Sequence, residues 1–207
     1  SQSNEHLRVF SDKDRAKKAQ WNYDPSREHL NFEIGKGGVV MKVNKMKSIP
    51  QRIAENLEAR GIKDPNLSLI NQGKRPYFKT VANFILGGNR EVMRNLAFGN
   101  QNVNWEQGAD NTQLKRMPEI ENWAKDAYRF MCKKYGEKNI AAFVVHLDEA
   151  NPHIHCTVLP ITPKEKFSFL GVFLDGHDDK EALSRHMTNL HTEFADEVGI
   201  KYGLERG

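Results

Sequence analysis

Residues 139–161 read NIAAFVVHLDEANPHIHCTVLPI, two apolar runs joined only by DEANP at 148–152. Short Val- and Ile-rich runs bounded by turn residues are strands, and so short a link makes the two adjacent and antiparallel. Three of the chain's eight histidines fall in this hairpin, His146, His153 and His155, with Asp148 and Glu149 between them. Side chains two apart on a strand share a face, so His153 and His155 stand side by side, and His146 ends the preceding strand across the turn. Three neutral imidazoles converging from paired strands can hold one side of a divalent cation and leave the other side open. Zn²⁺ is the ordinary choice for three histidines, and the neighbouring carboxylates admit Mn²⁺ or Mg²⁺. Glu149 is placed to act as base, as orienter of a ligand histidine or as a ligand, whereas Asp148 is expected to point away. Cys156 follows His155 directly, points to the opposite face and so does not complete a four-ligand structural zinc site.

Working outward, the pattern predicts helices over 12–21 (capped by Ser11 or Asp12), 48–60, 89–98 and 117–136, and a long terminal helix over 178–199. Pro25 follows Asp24 in a turn, and Leu30, Phe32 and Ile34 then alternate with His29, Asn31 and Glu33, which predicts a strand over 29–34 with one packed face. GKGG at 35–38 lacks the spacing of a phosphate-binding loop and reads as a hairpin turn. YFKTVANFILGG at 77–88 reads as a strand burying Val81, Phe84, Ile85 and Leu86, and KFSFLGVFL at 166–174 as a further strand or hairpin. The expected fold is α+β, an antiparallel or mixed central sheet with helices packed on its faces.

The chain has 207 residues, 38% hydrophobic and 28% charged, enough for a substantial core. No run approaches the length of apolar sequence a membrane span needs, and two cysteines make no disulfide framework, so a cytoplasmic setting is expected. The net charge of +4 is unevenly spread. Residues 1–80 carry 16 Lys+Arg against 9 Asp+Glu, and the remainder 15 against 18. A basic half of this kind suits a polyanion, with Arg8, Lys17, Lys18, Arg27, Lys74, Arg75 and Lys79 as candidate phosphate contacts. Trp21, Tyr23, Tyr77 and Phe78 lie among these cations as candidate base-stacking rings. The chain starts at Ser1 rather than Met, which leads us to expect a single domain, 1–207, drawn from a longer protein.

HLDEANPHIH has the form HxDExxPHxH and resembles the histidine-triad motif of the Mob/Pre (MobV) plasmid mobilization relaxases, within the HUH endonuclease superfamily. DPSREHLNFEI at 24–34 is similar to that family's NPSRxHLNxEL segment, with Asp24 in place of Asn, and the terminal GLERG is also familial in appearance. The resemblance implies an HUH relaxase-like sandwich and an endonuclease and transesterase that nicks one strand at the transfer origin (oriT) of a mobilizable plasmid. It implies transfer-origin DNA, single-stranded or supercoiled, as partner, with other mobilization or coupling proteins, and covalent attachment to the 5′ phosphate. It further implies a histidine nucleophile upstream of the PSR segment. His6 is the only histidine there, and Tyr23 is the alternative nucleophile. The competing readings are a metal-dependent hydrolase of a small substrate and a noncatalytic DNA-binding module holding structural zinc.

Overall fold

The computed structural model describes residues 1–20 and 23–206, so Trp21 lies outside the described residues. The chain opens with two short helices, α1 (Gln2–Leu7) and α2 (Asp12–Ala19), the latter capped by Ser11. A 3₁₀ turn at Pro25–Leu30 leads into β1 (Phe32–Gly35), which turns through positive-φ Gly37 and Gly38 into β2 (Val39–Met41). Helices α3 (Ile49–Ala59) and α4 (Leu67–Asn71) precede β3 (Ala82–Leu86), α5 (Arg90–Phe98) and the long α6 (Pro118–Tyr135). The hairpin strands β4 (Ile140–His146) and β5 (His153–Val158) follow, then α7 (Phe169–Phe173) and α8 (Ala182–Glu197).

The five strands form one antiparallel sheet in the order β2-β1-β4-β5-β3. Period-two alternation gives its two faces different tasks. Phe143, Val145, Ile154, Cys156, Val158, Phe84 and Leu86 pack against α6, which places Ile120, Trp123, Ala124, Ala127 and Met131 on one side at helical spacing. On the opposite face Val144 pairs with His155 and His146 with His153. That face is closed at one end by Leu7 of α1 and Ile49 of α3, which pack on Ala142 and Val144, so burial of Leu7 carries its neighbour His6 onto the histidine face.

Three expectations need correcting. The strand expected over 29–34 begins only at Phe32, because the turn at Asp24–Pro25, in which the Asp24 side chain accepts from the Ser26 amide, runs on as a capped 3₁₀ helix to Leu30; His29 and Asn31 therefore do not share a strand face. Ile85 is 70% exposed, since β3 alternates and only Phe84 and Leu86 reach the core. Residues 166–174 form helix α7 after a single bridge between Ile161 and Phe167, with Ser168 capping the Gly171 amide and Phe173 buried against Phe84 and Tyr135.

Leu7→Ala is expected to lower unfolding free energy by about 2–5 kcal/mol, the usual cost of truncating a buried Leu. Urea denaturation measures this, and an unchanged midpoint would mean that α1 is not part of the cooperative unit.

Candidate metal centre

The β4–β5 register places His146 opposite His153, with His155 two residues further along and Glu149 in the connecting loop. One donor atom from each of these four residues lies within 4.8 Å of the others. Hydrogen bonds set which nitrogens are free. His146 Nε2 sits 2.8 Å from the His6 carbonyl and is placed to donate to it, which leaves Nδ1 as the lone-pair atom. That Nδ1 is buried without a hydrogen-bond partner, 3.6 Å from Glu149 Oε1. His153 Nδ1 lies 2.8 Å from the Asn151 carbonyl, so its Nε2 is free and faces His155 Nε2 at 2.9 Å. Burial, then the neighbouring His146, push the His155 pKa to about 2. Burial likewise lowers that of His153. The Glu149 carboxyl, although half-buried, is held well below the usual range by the Arg8 guanidinium that donates to it. Neutral imidazoles, one ionised carboxylate and an orphaned buried nitrogen are the donor set of a divalent cation.

Around the donors lies a buried polar frame. Arg8, at the left-handed C-cap of α1 with φ 55°, donates from Nε and Nη2 to the Asp148 carboxylate at 2.9 and 2.8 Å, and from Nη2 to Glu149 Oε1 at 2.5 Å. Asn31 Nδ2 donates to Asp148 at 2.7 Å and its Oδ1 accepts from the Leu147 amide at 2.7 Å. Arg27 Nη1 donates to the carbonyls of Leu147 and Glu149, and the Asp24 amide to that of Asp148. Segment 24–31 thus clamps the loop that carries Glu149. Asp148 is fully buried at the centre of this frame rather than turned away. A pairing across 140 residues has no local periodicity to announce it, and the co-occurrence of two motifs was the available signal.

The same geometry corrects the reading of the cations. Arg8 and Arg27 are buried, with donors spent on Asp148, Glu149 and loop carbonyls, so neither stands on the surface as a phosphate contact. Lys18 pairs with Glu5, whereas Lys17 is exposed. Lys74, Arg75 and Lys79 are exposed on the loop with Tyr77 and Phe78. Tyr23 is buried; its hydroxyl accepts from Arg15 and donates to Glu28, and burial, then Glu28, drive its pKa far above the phenol range. Elsewhere, His186 is buried between Tyr135 and Asp175.

His6 joins the cluster. Its ring stacks on that of His155 with centroids 4.1 Å apart at 24°, and burial, then the adjacent His146 and Arg8, lower its pKa to about 4. It lines an open cavity of about 520 Å³ with Arg8, Glu149, His153 and His155.

Residues 65–207 match the family model Mob_Pre, described as plasmid recombination enzyme. The chain belongs to this family. It is 36% identical over 92 residues to plasmid recombination enzyme type 1 of Staphylococcus aureus, covering 43% of the chain and 20% of that relative. It is 27% identical over 138 residues to the plasmid recombination enzyme of Lactiplantibacillus plantarum, covering 65% of the chain and 36% of the relative. The chain therefore spans well under half the length of these relatives. Its fold matches the relaxase domain of MobM (MOBV; Mob_Pre), solved Mn-bound on plasmid pMV158 oriT DNA at pH 6.8, with a TM-score of 0.63 and 21% identity over 99% of this chain and 81% of that one. A second MobM–oriT structure, with a 26-nucleotide strand, aligns with a TM-score of 0.53. Among the described residues no helix is long and apolar enough to cross a membrane.

Asp148→Ala leaves the buried Arg8 guanidinium with only the half-buried Glu149 carboxylate as an ion-pair partner and strips it of two hydrogen bonds. A loss of about 3–5 kcal/mol in urea unfolding is expected; a loss under about 1 kcal/mol, the worth of an exposed pair, would contradict the buried frame.

Proposed function

We propose that residues 1–207 act as a single nicking domain of a plasmid mobilization relaxase, a site- and strand-specific DNA transesterase that cuts at a transfer origin and stays bound to the 5′ phosphate. One observation carries this reading: donor atoms of His146, Glu149, His153 and His155 converge, and the last three line one open cavity together with a fifth group, the neutral His6 imidazole. Membership of the plasmid recombination enzyme family supports it, as does the fold shared with MobM, whose relaxase domain was solved on oriT DNA with manganese.

His146 through Nδ1, and His153 and His155 through Nε2, would hold the cation, with Glu149 as a further ligand or as orienter of His146. A cation held there, Mn²⁺ or Mg²⁺ with Zn²⁺ the alternative, would supply Lewis acidity at the scissile phosphate. His6 is the nucleophile. With its pKa near 4 it carries a lone pair at neutral pH and needs no strong base. A ring nitrogen bonds to phosphorus and the bond to the 3′ oxygen breaks. The 3′ oxygen takes up a proton, balanced by loss of the proton on the other ring nitrogen, and the product is a phosphoramidate. The stack on His155 and the bond from His146 to the His6 carbonyl hold the ring in place during this exchange. Tyr23 is the weaker nucleophile, since its phenol is locked to Arg15 and Glu28. Exposed Lys17, Lys74, Arg75 and Lys79 supply attraction to the DNA backbone, with other mobilization or coupling proteins as further partners.

Supercoiled plasmid carrying a cognate origin, incubated with the protein and Mn²⁺, is expected to yield open circles with protein on the 5′ end. His6→Ala should cut nicking by on the order of 10³-fold or more and abolish the adduct, while Tyr23→Phe retains it. An adduct that survives in His6→Ala, or is lost in Tyr23→Phe, contradicts the assignment. Failure of the wild-type protein to nick contradicts the function.

A further inference from the structure

Outside the histidine cluster, the N-terminal turn of α5 is the most unusual electrostatic feature. Arg90 is its first residue, where the helix macrodipole disfavours a cation, and Arg94 follows one turn later, a like-charge spacing that costs stability on an isolated helix. Arg27 brings a third guanidinium: Arg27 Cζ lies 4.7 Å and Arg94 Cζ 3.5 Å from the centroid of the Trp105 ring. Among the described residues, no carboxylate lies within salt-bridge distance of Arg90 or Arg94; Glu91, on the same turn, pairs with neither, and Arg27 is paired with Asp24. Burial, then Arg90 and Arg27, lower the Arg94 pKa from its ordinary value.

Arg94 is nonetheless held in one place. Its Nε donates to the Ala150 carbonyl at 2.8 Å, which ties it to the loop between Glu149 and His153, and its guanidinium carbon sits over the indole. The indole is fixed in turn. It packs edge-on to Phe98, and its loop is pinned by fully buried Asn111, which bonds both backbone groups of Asn104 and the Asp24 carboxylate. The two Nη groups of Arg94 have no hydrogen-bond partner among the described residues, and Arg94 lines two adjoining openings, of about 460 Å³ with Trp105 and about 520 Å³ with Arg90 and Asn89. A fixed, planar, doubly donating cation beside a second one matches the oxygens of a phosphate.

We propose that Arg90 and Arg94, with Trp105 as the backing for Arg94, form a phosphate-binding site at the rim of the histidine cluster, taking a backbone phosphate of the nucleic-acid strand beside the cut. This site deepens the relaxase reading and rests on it. The loop anchor through Ala150 explains why the phosphate belongs to the same strand: the site and the donor cluster share one segment of backbone.

The test is binding of a fluorescein-labelled single strand of mixed sequence, in EDTA, followed by anisotropy between about 50 and 200 mM salt. Arg90→Gln and Arg94→Gln should each weaken binding and reduce the slope of log affinity against log salt by about 0.7, the value for one phosphate on a single strand. Arg94→Lys should keep the slope while losing affinity, because it keeps the charge and loses the planar, doubly donating guanidinium over Trp105. Arg90 makes no side-chain hydrogen bond or ion pair among the described residues, so Arg90→Gln should retain the wild-type urea midpoint and the wild-type calorimetric affinity for Mn²⁺. Unchanged slope and affinity in folded Arg90→Gln and Arg94→Gln overturn the site while leaving the relaxase reading intact. If the Gln variants lose calorimetric binding of inorganic phosphate but bind the strand as wild type does, the site serves free phosphate and the strand assignment falls. A wild-type protein with no affinity for the strand overturns both the site and the reading beneath it.

Discussion

The buried ion pair between Arg8 and Asp148 is the constraint on which the site depends. Asp148 is wholly inaccessible to solvent, and its carboxylate is stable there only because the Arg8 fork and the Asn31 amide supply charge and hydrogen bonds. Pairs of this kind contribute more to geometry than to net stability, and here the geometry has three consequences. Arg8 must end α1 in a left-handed cap, which fixes where His6 falls. Its remaining reach goes to Glu149, which is held ionised beside His146. Asn31 and Arg27 must lie against the 147–149 backbone, which makes the 24–31 segment part of the site although it contributes none of the four donor groups.

The sheet converts that constraint into a rigid array. Alternation along β4 and β5 sends Phe143, Val145, Ile154 and Cys156 into the core against α6 and sends His146, His153 and His155 to the other face. Only part of that face is covered, by Leu7 and Ile49, so His153 and His155 are buried enough to be neutral and open enough to admit a ligand. A one-residue slip of register would exchange the two sets, placing imidazoles in the apolar core, so packing of the core enforces the arrangement of the donors.

Much of this was legible in the residues themselves. The hairpin, its antiparallel pairing, the shared face of the histidines and the long helix at 118–135 follow from period and turn chemistry. Residues 166–174 misled because an apolar run of that length suits a strand or a buried helix equally, and the Ser168 cap decided it. Ile85 misled because a continuous apolar run conceals that β3 is an edge strand with one face uncovered. The role of Asp148, and the withdrawal of Arg8 and Arg27 from the surface, rest on contacts between segments more than a hundred residues apart, and no local pattern encodes them.

The central claim is that three imidazoles and one carboxylate are preassembled as a divalent-cation site. Calorimetric titration of the chelator-treated protein with Mn²⁺ tests it without recourse to DNA. The account predicts one ion per chain, and loss of binding in His153→Ala and in His155→Ala with the fold intact by circular dichroism. Binding that persists in both variants, or none in the wild-type protein, would contradict it.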